Sequence, residues 1–249
     1  MLSFKEFTKL SESVRAKLMG AIYRPKKTPK GEEIKPHNEL HWLDMDDTLV
    51  HHDPEKGARV IVNSPSGKKQ LSTSEYNSYK LKPDEKYDYS QFASSKVFAD
   101  SSHPIRKMVN HAQRLLDNGH HVRIITARAD MAEHHALLDH LNKMGLNTGH
   151  ENFHLVRAGN VGGPSTHSNK AFALDNTLGK LKSEGHDIRR VTGYDDHKAN
   201  VTDIHSVPLD KEGITLEKKH SGISFNGILA KKTSPSTVRL TQVYPGKSE

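Results

Sequence analysis

Between residues 40 and 194, short apolar runs alternate with stretches whose apolar residues recur every three or four positions. The runs are Leu40 to Leu43, Val122 to Thr126, Phe153 to Arg157 and Ile188 to Tyr194. The periodic stretches cover 104–118, where Pro104 suits a first helical turn, then Asp130 to Met144, and a helix lined by Ala171, Leu174, Leu178 and Leu181. Brief strands separated by helices of this length predict an α/β fold, a Rossmann-like parallel sheet with helices on both faces. In such sheets ligands bind beyond the carboxyl ends of the strands.

That rule gives the residues at the ends of the runs their interest. The first run closes on Asp44, and Asp46 follows two residues later; the second closes on Thr126, followed by Ala127 and Arg128; the last closes on Asp195 and Asp196. Lys170 falls at the expected start of a helix on the same side, an unfavourable end for a cation unless a negative group faces it. Carboxylates at the end of a buried strand are costly to desolvate without a cation or a reaction that needs them. With residues i and i+2 converging, one carboxylate can attack phosphorus while the other handles the leaving group's proton. The competing reading is an acidic turn in which Asp46 or Asp47 caps a helix.

The chain divides into residues 1–37, a core over 38–230 that carries an insertion at 51–102, and a basic end, 231–249, that forms a tail or an edge strand. Residues 3–19 have one apolar face (Phe4, Phe7, Leu10, Val14, Leu18) behind a Ser3/Glu6 capping box. A basic, proline-containing linker follows. The insertion opens with an expected hairpin, Ala58 to Asn63 and Lys68 to Leu71, and holds most of the chain's tyrosines. These either build a small core of their own or, beside Lys80, Lys82 and Lys86, stack on bases. The net charge of +7 lies in the two ends, +4 in residues 1–40 and +4 in 211–249, against −1 between them. This suits a phosphorylated or nucleic-acid partner, and equally a solvated face. No apolar run is long enough to span a membrane, and no signal-peptide core is seen near Met1. The absence of cysteine excludes disulfides and thiolate metal sites and fits a cytoplasmic protein.

Asp44-x-Asp46-x-Thr48, a strand ending in Thr126, Lys170, and the pair Asp195-Asp196, in this order, resemble the haloacid dehalogenase (HAD) superfamily of phosphohydrolases. The resemblance covers roughly residues 40 to 230. Thr126-Ala127-Arg128 and Tyr194-Asp195-Asp196 are similar, more narrowly, to the phosphatase domain of bacteriophage polynucleotide kinase, and Tyr79-Lys80-Leu81-Lys82-Pro83 and Arg157-Ala158-Gly159-Asn160 resemble stand-alone phage HAD proteins. No G-x-x-x-x-G-K-[ST] loop occurs, so a kinase half is not implied. The resemblance implies that Asp44 is a nucleophile forming an aspartyl-phosphate and that Asp46 is the acid and then the base. It implies Mg²⁺ held by Asp44, Asp46 (through its backbone carbonyl) and Asp195 or Asp196. Thr126 and Lys170 would bind phosphoryl oxygens, Thr48 and Arg128 would bind substrate, and 51–102 would be a cap.

Three functions compete at this point: a phosphatase for 3′-phosphates of nucleic-acid ends, a nucleotide or small-metabolite phosphatase, and a non-enzymatic phage structural protein with a residual HAD core. Residues 1–20 resemble the leaders of some tailed-phage head proteins. They are expected either to dock a phage head protein, with virion association, or to pack on the core. His150-Glu151-Asn152-Phe153-His154 spells H-E-x-x-H but follows Gly149 and runs into a strand, which argues against a zinc protease helix. The other histidines, including His51-His52 and His134-His135, lack ligand spacing and are expected mostly at the surface.

Overall fold

The computed structural model describes residues 36–71, 73–129, 131, 133–161, 165–234 and 237–245. The amphipathic stretch 3–19 and the basic linker lie outside the described residues.

A six-stranded sheet organises the described chain. Its order is β11-β10-β9-β1-β7-β8, from β1 (Glu39–Leu43), β7 (His121–Thr126), β8 (Phe153–Arg157), β9 (Arg190–Asp195), β10 (Ser224–Ser234) and β11 (Thr237–Tyr244). The first five of these in the chain pair in parallel, and β11 returns antiparallel at the edge. Their spatial order places β1 centrally with successive strands added on either side, the Rossmann-like pattern with its reversal beside β1.

Alternation along the strands explains why both faces are covered. Leu40 and Trp42 point to one face and Leu43 to the other; Ile125 and Ile124 divide in the same way. On the Leu43 face, α3 (Arg106–Asp117) and α4 (His134–Lys143) bring Met108, Val109, Leu137 and Leu141. On the Trp42 face, α5 (Thr166–Ser183) and α6 (Lys198–Thr202) bring Ala171, Leu174, Leu178 and Val201. Strands buried on both sides read as unbroken apolar runs, which is why they were visible in the sequence.

The insertion leaves and returns through an antiparallel stem, β2 (Val50–His52) against β6 (Ser102–Pro104). Beyond the stem lies a three-stranded sheet, β4-β3-β5, from β3 (Val60–Ser64), β4 (Gly67–Leu71) and β5 (Lys86–Asp88). Val60, Val62 and Leu71 form its core, with Tyr76, Tyr79, Tyr87 and Phe92 packed against them. The tyrosines therefore do build a local core, except that Tyr89 stays about half exposed. Two short helices complete the insertion, α1 (Thr73–Ser78) and α2 (Ser95–Ser101). A last helix, α7 (Leu216–Lys219), precedes β10.

Three local expectations need correction. Pro104 does not open α3: it pairs with Val50 in the stem, Ile105 donates its N–H to Leu49, and the helix starts at Arg106. The helix expected from Asp130 starts at His134, because Glu133 has left helical geometry while its carboxylate accepts from Ser95. The core does not stop at residue 230: β10 runs on through Lys231 to Ser234, because the antiparallel partner β11 supplies the backbone bonds.

Gly193 in β9 faces the fully buried indole of Trp42, and a Cβ there would collide with the ring. We predict that Gly193→Ala costs about 1–3 kcal/mol through overpacking. The urea unfolding midpoint should fall accordingly; an unchanged midpoint would show that Trp42 can yield.

Candidate functional site

Two strand ends and a helix bring three charged groups to one rim. Asp44 leaves β1 with its N–H bonded to the carbonyl of Tyr194, so its position is fixed by the neighbouring strand β9. Asp195 ends β9 and is fully buried. Lys170 reaches both, its Nζ 2.7 Å from Asp44 Oδ1 and 2.6 Å from Asp195 Oδ2. Helix α5 starts at Thr166 behind a Ser165 cap, so Lys170 sits in the second turn rather than at the helix opening. The aliphatic part of such a side chain tolerates burial while the ammonium needs carboxylates. The Lys170 ammonium also lies 5.9 Å from the centre of the Trp42 ring.

Asp195 is locked further by the backbone N–H of His197 at 2.8 Å and by the Asn200 amide at 3.0 Å. Asp196 follows at the mouth of the cluster, with part of its surface open to solvent. Oxygens of Asp44, Asp195 and Asp196 lie within 4.8 Å of one another and could hold a metal ion. A second group of side chains with that capacity is Glu39, His41 and His120.

Burial and the neighbouring carboxylates raise the Asp44 carboxyl well above its usual range, although Lys170 opposes them. Desolvation and the Asp195 charge likewise raise Asp196. Burial works against the Lys170 ammonium, but Asp44 and Asp195 outweigh it and hold the proton more tightly than usual. One ammonium thus faces three carboxylates. The fit to an all-oxygen divalent site is good, because a further cation would relieve this repulsion.

Asp46 belongs to a separate arrangement. The turn after Asp44 is closed by bonds from the Leu49 and Val50 N–H groups to the carbonyl of Met45, with Asp47 in the left-handed region at φ 57°. This carries the Asp46 carboxylate to Arg128, which donates from Nε at 2.9 Å and Nη2 at 2.8 Å. His52 Nε2 stands 2.6 Å from the same carboxylate, and its Nδ1 is 3.0 Å from the Ser101 hydroxyl. Burial favours the neutral acid, yet Arg128 and the His52 hydrogen bond prevail and hold the Asp46 carboxyl far below the usual range. Arg128 also donates to the Phe92 carbonyl and lies 5.1 Å from the centres of the Phe92 and Phe98 rings. The guanidinium therefore ties the core loop to the insertion.

Several expected roles shift in this geometry. Arg128, expected to face substrate, is buried and engaged by Asp46. Thr48, also expected at the substrate, is fully buried, and its hydroxyl has no hydrogen-bond partner among the described residues. Thr126 ends β7 at the rim as expected, but its Oγ1 accepts from the Arg128 N–H, leaving its own proton to donate. Gly159 backs this loop; a Cβ there would strike the backbone of Ala127 to Ala129.

Sequence reasoning missed His52 and Asn200. Against the expectation that most histidines lie at the surface, four are buried: His41, His120, His121 and His205. The only advance sign was His41 lying inside an apolar run. His150 sits in a turn and His154 on β8, so no helix presents that pair. No family model matches the chain, and no curated protein matches it in sequence.

Replacing Lys170 by Met would leave two buried carboxylates without their shared cation. The Asp44 carboxyl of the folded chain would then hold a proton that the unfolded chain has released, so stability should fall as pH rises from 5 to 8. In excess chelator, we expect the loss relative to wild type to be small near pH 5 and about 3 kcal/mol near pH 8. A pH-independent loss would contradict the electrostatic account.

Proposed function

We propose that this chain is a Mg²⁺-dependent phosphomonoesterase of the HAD type that acts through an aspartyl-phosphate on Asp44, with 3′-phosphates of nucleic-acid ends as its substrates. The observation that carries the reading is the convergence of Asp44, Lys170 and Asp195 at the carboxyl ends of β1 and β9. A carboxylate there is held in a fixed direction, which is what an attacking group needs. Mg²⁺ held by Asp44, Asp195 and Asp196 would supply the positive charge that lets a phosphate dianion approach three carboxylates.

In the first half of the reaction, an Asp44 oxygen bonds to phosphorus, the bond to the sugar oxygen breaks, and that oxygen takes a proton from Asp46. In the second half, Asp46 takes a proton from water, the water oxygen bonds to phosphorus, and Asp44 is released as a carboxylate. Lys170 offsets charge on the phosphoryl oxygens, and the Thr126 hydroxyl donates to one of them. Clamped by Arg128 and His52, Asp46 is an ionised carboxylate of low basicity, so taking a proton from water requires this clamp to open. The acid half requires Arg128 to loosen its hold on Asp46, and an incoming phosphate dianion is a natural competitor for the guanidinium. The nucleic-acid preference rests on the insertion, where half-exposed Tyr89 lies one 3-10 turn before Phe92, the residue whose carbonyl Arg128 holds. Base stacking there would hold a strand end beside the site.

The test is phosphate release from 3′-phosphorylated oligonucleotides and from mononucleotides, each with Mg²⁺ and with chelator. We expect Mg²⁺-dependent release, faster from the oligonucleotide, and a loss on the order of 10³-fold or more in Asp44→Asn. Asp46→Asn should lose more with sugar phosphates than with aryl phosphates, whose leaving groups need no proton. Faster release from mononucleotides would favour a nucleotidase. No release from any of these substrates, or near-wild-type activity in Asp44→Asn, would overturn the proposal.

A further inference from the structure

At the opposite end of β1 from Asp44, we propose a zinc site in which Glu39, His41 and His120 supply three of the four ligands. Glu39 and His41 are the first and third residues of β1, so their side chains share a face. His120 immediately precedes β7, the parallel neighbour of β1. All three are buried, and one ligand atom from each lies within 4.8 Å of the others.

The distances approach those between the ligands of a metal ion. The tighter imidazole or ammonium pairs with a carboxylate in this protein close to 2.6 Å for His52–Asp46, 2.6 Å for Lys170–Asp195 and 2.9 Å for His220–Asp175, while the exposed Lys180–Glu184 pair stays at 3.8 Å. Here His41 Nε2 stands 3.3 Å from Glu39 Oε2, and His120 Nδ1 stands 3.8 Å from the same oxygen. Tetrahedral zinc with bonds of about 2.0–2.1 Å sets its ligand atoms roughly 3.3–3.4 Å apart. Two imidazole nitrogens with one carboxylate oxygen is a donor set that suits zinc over Mg²⁺.

The surroundings are arranged as an outer shell. His41 Nδ1 lies 3.4 Å from the Tyr194 hydroxyl, which would fix the ring with Nε2 toward Glu39. Arg190, paired in register with Glu39, approaches the other carboxylate oxygen at 3.9 Å. A bound ion would clamp β1 to the segment entering β7. The site shares no ligand with the carboxylate cluster and is independent of the proposed phosphatase chemistry.

The full-length chain, without a histidine tag, is stripped with chelator, titrated with Zn²⁺, and assayed for bound zinc and melting temperature. We expect one tightly held equivalent and a rise of several degrees on reloading. His120→Ala and Glu39→Gln should lose both the equivalent and the rise, whereas Asp195→Asn should keep them. The wild-type melting shift stands as a test even if a variant fails to fold. Sub-stoichiometric zinc without a melting shift, or zinc lost in Asp195→Asn and kept in His120→Ala, would overturn the site.

Discussion

The Lys170 ammonium between Asp44 and Asp195 is the interaction on which the rest depends. Neither carboxylate can be buried alone at reasonable cost, and neither can a lysine. Together they fix where α5 must dock, because its second turn has to deliver Lys170 to the junction of β1 and β9. The same docking seats Ala171 and Leu174 on the Trp42 face of the sheet. Gly193 permits Trp42 to lie flat against β9, and so the floor beneath Lys170 is itself set by a missing side chain. Apolar packing supplies the stability, while the triad of charges supplies register.

A second set of charges governs the insertion. Arg128 leaves the end of β7, crosses to Asp46 and ends on the carbonyl of Phe92, while His52 connects Asp46 to Ser101 at the foot of the stem. Core and insertion therefore meet at the carboxylate that the proposed chemistry needs as acid and base. Any rearrangement that frees Asp46 from Arg128 also loosens the insertion, which would couple substrate arrival to movement of the cap.

The sheet and its rim were legible in the sequence because parallel strands buried on both faces leave continuous apolar runs, and because Asp44, Thr126 and Asp195 each close one. Lys170 was legible as a cation in an awkward place. Other residues were not, for reasons that are physical. His52 looks like any histidine until the stem folds it against Asp46. Asn200 acts through a bond to a residue five positions earlier that only the turn after β9 makes possible. Arg128 was read as free for substrate because nothing local reveals that the insertion would bury it. No individual histidine was singled out as buried, and His41 is buried because both faces of β1 are covered.

The account's central claim is that Asp44 carries the phosphoryl group. The most direct measurement is a single turnover with 3′-phosphorylated oligonucleotide, quenched in acid and treated with a hydride donor that reduces an acyl phosphate to the alcohol. Peptide mass spectrometry should then find homoserine at position 44 and aspartate unchanged at positions 46, 195 and 196. Phosphate on a histidine, or turnover with aspartate intact at all four positions throughout, would contradict the account.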